Sequence, residues 1–394
     1  ALYAHQSKFL NANPRKALLA HATGTGKTRT ACEWIKQNNF RDVLIVCPKG
    51  LLKNWMKESI VWGVPINFRT IISKETFKLR PQRKHDAVII DEADFFFSAN
   101  FKSKLSKSLR AYLKAHDPAL ILMTATVFRS SAWNVHVAAT LLGHTWNYLD
   151  FKHAFFTDIH MGFRVISVPK KDAKTAERLR NAIKKIADVV SLDECVDVPK
   201  QTDEEIFVGE TKEQERAKER SNEIVPIARF TREHQIENGF EGEFGNEIQN
   251  YKIERLISLV EEHDKVVVVC RYRKQMVLIE NALQSLKKPI FTLHGDTNDR
   301  QGVVDTSNEA KEAILIVQSG VCEGYELPFF SVMVFASLDF SYRNYVQMRG
   351  RILRINALHK NLYVHLLAGD SDKAIMKAML SKKDFDVVNY YERA

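Results

Sequence analysis

The chain has 394 residues, long enough for two or three domains, with 45% hydrophobic and 27% charged residues, which excludes disorder and collagen-like repeats. No apolar run approaches the roughly 18 residues of a membrane span, and ALYAHQSKFL at the start has no signal-peptide core. The net charge is +10; residues 201–250 hold 13 acids and 6 bases, a net of −7, so the remainder carries +17, which suits a polyanionic partner.

In chain order, ALLA at 17–20, VLIVC at 43–47, RTII at 69–72, AVII at 87–90 and ALILM at 119–123 read as buried strands, with a helix over 101–115. Continuous apolar runs separated by amphipathic stretches predict a parallel sheet flanked by helices. Between strands one and two lies HATGTGKT at 21–28. Gly24 and Gly26 let the backbone curl so that N–H groups face phosphate oxygens; Lys27 supplies a point charge to the β- and γ-phosphates, and the Thr28 hydroxyl a Mg²⁺ ligand. His21 stands where a strict P-loop has Gly. VIIDEAD at 88–94 ends an apolar strand in two carboxylates, Asp91 for the metal and Glu92 for the attacking water.

The middle of the chain, 150–248, departs from this pattern. Basic helical stretches at 170–189 precede an acidic segment with the Gly-rich loop ENGFEGEFGNE at 237–247, read as an insertion, a linker and a mobile loop. The strand pattern returns with VVVVC at 266–270, IFTL at 290–293, AILIV at 313–317, VMVF at 332–335 and LYVHL at 362–366; helices are expected at 273–286, 342–350 and 371–380. QMRGRILR at 347–354 puts Arg351 and Arg354 on one helical face, able to reach a γ-phosphate held by the other half. The five cysteines form no C-x-x-C pair, and Cys47 and Cys270 end apolar runs; this suits a reduced, intracellular protein without structural zinc. Phe95–Phe97 fit packing better than base stacking, and His153 and His160 lack nearby metal-ligand partners. The chain begins without Met, as a processed chain or a fragment would.

HATGTGKT, DEAD, TAT at 124–126 and QMRGRILR occur in the order found in superfamily-two helicases and translocases, and the resemblance covers nearly the whole chain. VCPKGLLKNW at 46–55 resembles motif Ia, RTIISKETF the next nucleic-acid-contacting segment, VVVVCRYRK motif IV and IVQSGVCEGYEL motif V. Despite the literal DEAD, the last motif begins with Gln347 and not His-Arg, the third is TAT and not Ser-Ala-Thr, and a full Q-motif is missing. GRILR resembles UvsW- and XPB-like DNA helicases, while 198–219 and 362–383 resemble Swi/Snf-type translocases. Asp94 and Val127 depart from the Swi/Snf pattern, which usually has His and Pro there.

The resemblance implies two RecA-like lobes: lobe 1 at 1–149, a helical insertion at 150–198, and lobe 2 at 199–394 with a flexible acidic insertion at about 211–248. It implies that Gln6 reads adenine and that Thr23, Gly24, Thr25, Gly26, Lys27 and Thr28 cradle the phosphates of ATP with Mg²⁺. Thr28 and Asp91 hold the metal and Glu92 the water. Glu323 and Gly324 lie in the motif V loop, and Gln347, Arg351 and Arg354 sense the γ-phosphate. Lys49, Ser73, Thr124, Thr126, Arg271 and His294 contact nucleic acid or couple it to the nucleotide. The expected protein is a monomeric DNA helicase or translocase of the cytoplasm of a bacterial or phage-infected cell, or of the nucleus if eukaryotic. An RNA helicase and a non-translocating ATP-gated clamp are the alternatives.

Overall fold

The computed structural model describes all residues except 1, 65–66, 68–69, 81, 99–101, 126–131, 162–163, 171, 192–199, 222, 224, 243–244, 354–359, 382–384 and 386–394. The chain divides into two compact units, Ala1–Asp197 and Val198–Ala394.

The strands of the first unit are β1 (Lys16–His21), β2 (Val43–Cys47), β3 (Ile71–Ser73), β4 (Ala87–Ile90), β5 (Ala119–Thr124), β6 (Phe156–Met161), β7 (Arg164–Pro169) and β8 (Ala187–Val190). Six of them form one parallel sheet in the order β3-β2-β4-β5-β1-β8. Its central strands are buried on both faces, which is why they read as unbroken apolar runs. Leu18, Val46, Val88, Ile90 and Leu122 pack into one core layer, and Leu19, Ile45, Ile89 and Ile121 into the opposite one. Phe96 and Phe97 belong to the first layer, so this aromatic run serves packing.

The second unit contains β9 (Gln201–Phe207), β10 (Lys265–Cys270), β11 (Ile290–Leu293), β12 (Ala313–Gln318), β13 (Val332–Phe335) and β14 (Asn361–Leu367). They form a second parallel sheet in the order β11-β12-β10-β13-β14-β9. Each unit is a RecA-like lobe, a parallel six-stranded sheet between helical layers.

The middle segment differs from its sequence reading. The stretch read as a helical insertion holds the antiparallel β6–β7 ribbon and the helix Ala173–Ile186, but it ends in β8, which joins the edge of the first sheet beside β1. The acidic stretch is equally integrated into the second lobe. The helix Lys212–Glu219 is closed by a capping box between Thr211 and Gln214, and Pro226–Glu237 buries Phe230 and Ile236. The fully buried Glu237 carboxylate accepts the amides of Ser371 and Asp372 (3.1 and 2.9 Å), at the start of the helix Asp370–Leu380, and an N–H of Lys218 (2.6 Å). A carboxylate at a helix N-terminus satisfies donors that the helix leaves open. The described parts of the Gly-rich loop read as mobile are anchored: Phe240 is buried edge-on to Tyr272, and Phe240 pairs with Glu247. Phe244 lies outside the described residues. Local charge concealed this integration, because the acids that make the segment look solvated include those that cap and pair inside the lobe.

Among the described residues no helix is long and apolar enough to cross a membrane, and no cluster of three His, Cys, Asp or Glu could hold a metal ion. Cys32, Cys47, Cys270 and Cys322 are buried. Burial pushes the Cys32 thiol up to about 12, away from nucleophilic use.

Candidate nucleotide-binding and coupling site

In an all-parallel sheet every strand ends at the same edge, so motifs that follow different strands collect there. In the first lobe the P-loop follows β1, Asp91 and Glu92 follow β4, and Thr124 ends β5, the strand between them. Lys49 follows β2 in an exposed turn, and Ser73 ends β3.

The P-loop backbone passes through positive φ at Gly24 (+88°) and Gly26 (+80°), conformations that favour glycine, before the helix Lys27–Gln37 begins. A Cβ at Gly26 would also lie 2.6 Å from Gln6 Nε2. Lys27 Nζ donates to the carbonyls of His21 (2.8 Å) and Ala22 (3.1 Å). Thr25 is buried and its hydroxyl donates to Ala22 O at 2.8 Å. Thr23 and Thr28 are partly exposed on the loop and in the first helical turn.

Gln6, which the resemblance implies reads adenine, contacts the P-loop. It is fully buried; its Oε1 accepts the Tyr3 amide (3.0 Å) and its Nε2 donates to Gly26 O (3.2 Å). One end of the amide thus closes the N-terminus of its own helix, Ala4–Ala12, and the other holds the P-loop backbone. His5 Nε2 lies 3.0 Å from Thr25 O, and a carbonyl partner requires the proton on that nitrogen.

Asp91 is buried. Trp55 Nε1 donates to its Oδ2 (2.9 Å) and the Glu92 amide to its Oδ1 (3.0 Å). Burial, reinforced by the neighbouring Glu92 charge, pushes its carboxyl up to about 6, while Trp55 and the Lys27 ammonium act in the opposite sense. A bound divalent cation would favour the ionised form, so the donor set suits Mg²⁺: a buried carboxylate with one hydrogen bond on each oxygen and free lone pairs. Glu92 sits at φ +50°, where the chain turns out of β4. Trp55 was missed in the sequence. An indole in an amphipathic helix reads as core, and only the fold shows its N–H aimed at a carboxylate 36 residues away.

On the second lobe, the motif V loop and the helix Tyr342–Ile352 share a hydrogen-bond network. Gln347 is buried, with Cys322 Sγ 3.2 Å from its Oε1. Glu323 accepts from Arg343 Nη2 (2.7 Å), and Gly324 takes φ +88°. Arg351 Nη1 donates to Tyr325 O at 2.7 Å, and the Arg351 carbonyl accepts the Leu327 amide at 3.0 Å. Thr126 and Arg354 lie outside the described residues.

The nucleic-acid candidates divide. Ser73 is the N-cap of the helix Lys74–Leu79, its hydroxyl accepting the Thr76 amide at 3.1 Å. Arg271 is engaged within its lobe: it pairs with Asp339 and its guanidinium stacks over Phe340, 3.7 Å from the ring centre. His294 lies in an exposed turn, where Arg273 Nη1 contacts its Nδ1 at 2.8 Å and Asp296 Oδ2 at 2.9 Å. Arg273, not among the expected contacts, presents the more exposed guanidinium.

Fold and site together define a P-loop protein with two RecA-like lobes. Residues 2–64 match the family model described as type III restriction enzyme, res subunit, and residues 251–356 match the helicase conserved C-terminal domain. In these two matches, one in each unit, the chain is similar to superfamily-two helicases. It is 24% identical over 136 residues to the ATP-dependent RNA helicase dbp3 of Aspergillus clavatus, covering 32% of this chain and 26% of that protein. The DBP3 of Ajellomyces capsulatus is 26% identical over 109 residues, covering 25% and 22%. The match thus spans about a quarter of the length of these curated relatives. Among solved structures, the Sulfolobus solfataricus SWI2/SNF2 ATPase core in complex with dsDNA aligns over 99% of this chain and 93% of its own, at 17% identity and a TM-score of 0.43.

Proposed function

We propose that the protein is an ATP- and Mg²⁺-dependent translocase on DNA, of the Swi/Snf-like kind, that acts as a monomer in the cytoplasm of a bacterial or phage-infected cell and remodels branched or forked DNA. The observation that carries the ATPase half is the convergence of Lys27, Asp91, Glu92 and Thr124 at one sheet edge. Lys27 binds the β- and γ-phosphates, Thr28 and Asp91 hold the metal, and Glu92 takes a proton from the attacking water. Mg²⁺ supplies charge neutralisation at the phosphates. Arg351 and Arg354 stabilise the transferring phosphoryl group from the second lobe, so that ATP draws the lobes together and hydrolysis releases them.

The choice of DNA rests on QMRGRILR, which begins with Gln347 where DEAD-box RNA helicases have His-Arg, and on the +17 outside the acidic segment. An RNA helicase is the second reading, favoured by the curated relatives, which are named as RNA helicases. Steady-state ATPase rates with single-stranded DNA, duplex DNA, forked DNA and RNA separate the two. Stimulation by DNA at least tenfold above that by RNA is expected; the reverse order makes it an RNA motor.

Two outcomes follow for the site. Lys27→Ala is expected to weaken nucleotide binding and lower turnover about 100-fold or more, as loss of a preorganised charge does. Glu92→Gln is expected to keep nucleotide affinity and lower turnover about 10²–10⁴-fold, since an amide cannot take the proton. Equilibrium binding and single-turnover hydrolysis measure the two separately. On DNA, log affinity is expected to fall linearly with log salt through counterion release, by at least tenfold between 50 and 200 mM salt, as for a protein with several phosphate contacts. A fluorescence-anisotropy titration on two unrelated sequences checks both the slope and the expected sequence tolerance.

A further inference from the structure

The P-loop begins with His21 where the strict pattern has glycine, and the structure shows what that side chain does. His21 is the last residue of β1 and is fully buried. Its Nε2 lies 2.8 Å from Oδ2 of Asp188, on the edge strand β8. His21 Nδ1 is buried and has no hydrogen-bond partner among the described residues. A proton on Nε2 satisfies this arrangement, since the N–H then donates to the Asp188 carboxylate.

The next residue is tied to the same strand, because the Ala22 amide donates to Val190 O at 2.9 Å. His21 and Ala22 are also the residues whose carbonyls hold Lys27 Nζ, at 2.8 and 3.1 Å. The acceptors of the P-loop lysine are therefore fixed to β8 twice, once through a side chain and once through a backbone amide. From the other side, His5 stands edge-on to the His21 ring, with centroids 5.4 Å apart.

We propose that Asp188 and His21 are positioning residues for nucleotide binding: the Asp188–His21 hydrogen bond holds the carbonyls that orient Lys27 toward the β- and γ-phosphates. This rests on the ATPase reading above. The contribution lies in ground-state binding. A loop free to relax gives each nucleotide a misplaced lysine, and preorganisation is lost before any chemistry. In a strict P-loop a glycine has no side chain to anchor, so the role of Asp188 exists only with His21.

The test is a double-mutant cycle of Asp188→Ala and His21→Gly, read by titration of a fluorescent ATP analogue, by the split between KM and kcat, and by melting temperature. Asp188→Ala alone is expected to raise the dissociation constant and KM about tenfold and to change kcat less than threefold. In the His21→Gly background the same substitution is expected to change affinity less than twofold. Equal effects of Asp188→Ala in both backgrounds overturn the pairing. A lowered melting temperature with unchanged affinity overturns the positioning role and leaves a structural one. Should His21→Gly fail to fold, Asp188→Ala against His21→Leu, which fills the buried site without a donor, takes its place with the same criteria. Lys27→Ala is the control: tight analogue binding in that variant sinks the nucleotide-site reading itself, whereas weak binding there with normal binding in Asp188→Ala sinks only the present proposal.

Discussion

Arg351→Ala is expected to cut nucleic-acid-stimulated hydrolysis about 10³-fold or more while nucleotide affinity changes only a few-fold, the range for arginines that stabilise a transferring phosphoryl group. The structure makes this a test of orientation as well as charge. Arg351 Nη1 is held by Tyr325 O at 2.7 Å, next to the left-handed turn at Gly324. One guanidinium nitrogen thus anchors the side chain to the motif V loop, and the planar fork fixes where the others face. Lysine keeps the charge but loses the fork, so Arg351→Lys is expected to recover little activity. Single-turnover hydrolysis and equilibrium binding, measured side by side, check the split. Full turnover in the alanine variant would move the γ-phosphate contact to other residues and leave Arg351 as the brace of the motif V loop.

The second large effect concerns stability. Asp372 is buried, with Lys252 Nζ 2.7 Å from Oδ2, the Ala368 amide donating to the same oxygen at 2.9 Å, and His234 Nε2 3.2 Å from Oδ1. Lys252 is itself buried and donates to Asn238 Oδ1 (2.8 Å) and Ala336 O (3.0 Å). Removing the carboxylate leaves an ammonium group without a counter-charge, so Asp372→Ala is expected to cost about 3–5 kcal/mol. Urea unfolding monitored by circular dichroism should show it as a large fall in midpoint.

The pH dependence carries a sign. Burial by itself would raise the Asp372 carboxyl, but the Lys252 and His234 neighbours outweigh it and hold it below the ordinary 3.8. A depressed carboxylate contributes its stability above the unfolded value and loses it as pH falls through the folded one. The gap between wild type and Asp372→Ala should therefore hold at neutral pH and narrow only below about pH 3.8. Burial lowers His234, so this imidazole takes up its proton on unfolding and adds acid sensitivity from about pH 6.5 downward. A gap that closes already at pH 6 would place the dependence on His234 and not on Asp372.

The ten apolar strands expected from the sequence are all present, with ends displaced by at most two residues, because strands buried on both faces are written as local hydrophobic runs. The P-loop glycines and the DEAD carboxylates were legible for a related reason: their chemistry requires particular residues at short spacings. Four strands were not legible. Gln201–Phe207 is a mostly exposed, acid-rich edge strand whose pairing with β14 leaves no apolar trace, and Ala187–Val190 continues what reads as a helix. The acidic segment looked like a mobile insertion because composition records charge and not its partner; Glu237 caps a helix 134 residues further on.

The sequence alone therefore determined the two-lobed architecture and the residue types gathered at the candidate nucleotide site, since both are encoded in local periodicity and short motifs. Only the tertiary structure decided how those residues are held. Trp55 finds Asp91, Gln6 turns its amide to the P-loop backbone, and His21 meets Asp188 from 167 residues away. A hydrogen bond depends on where the fold brings a donor and an acceptor, and separation along the chain carries no record of that approach.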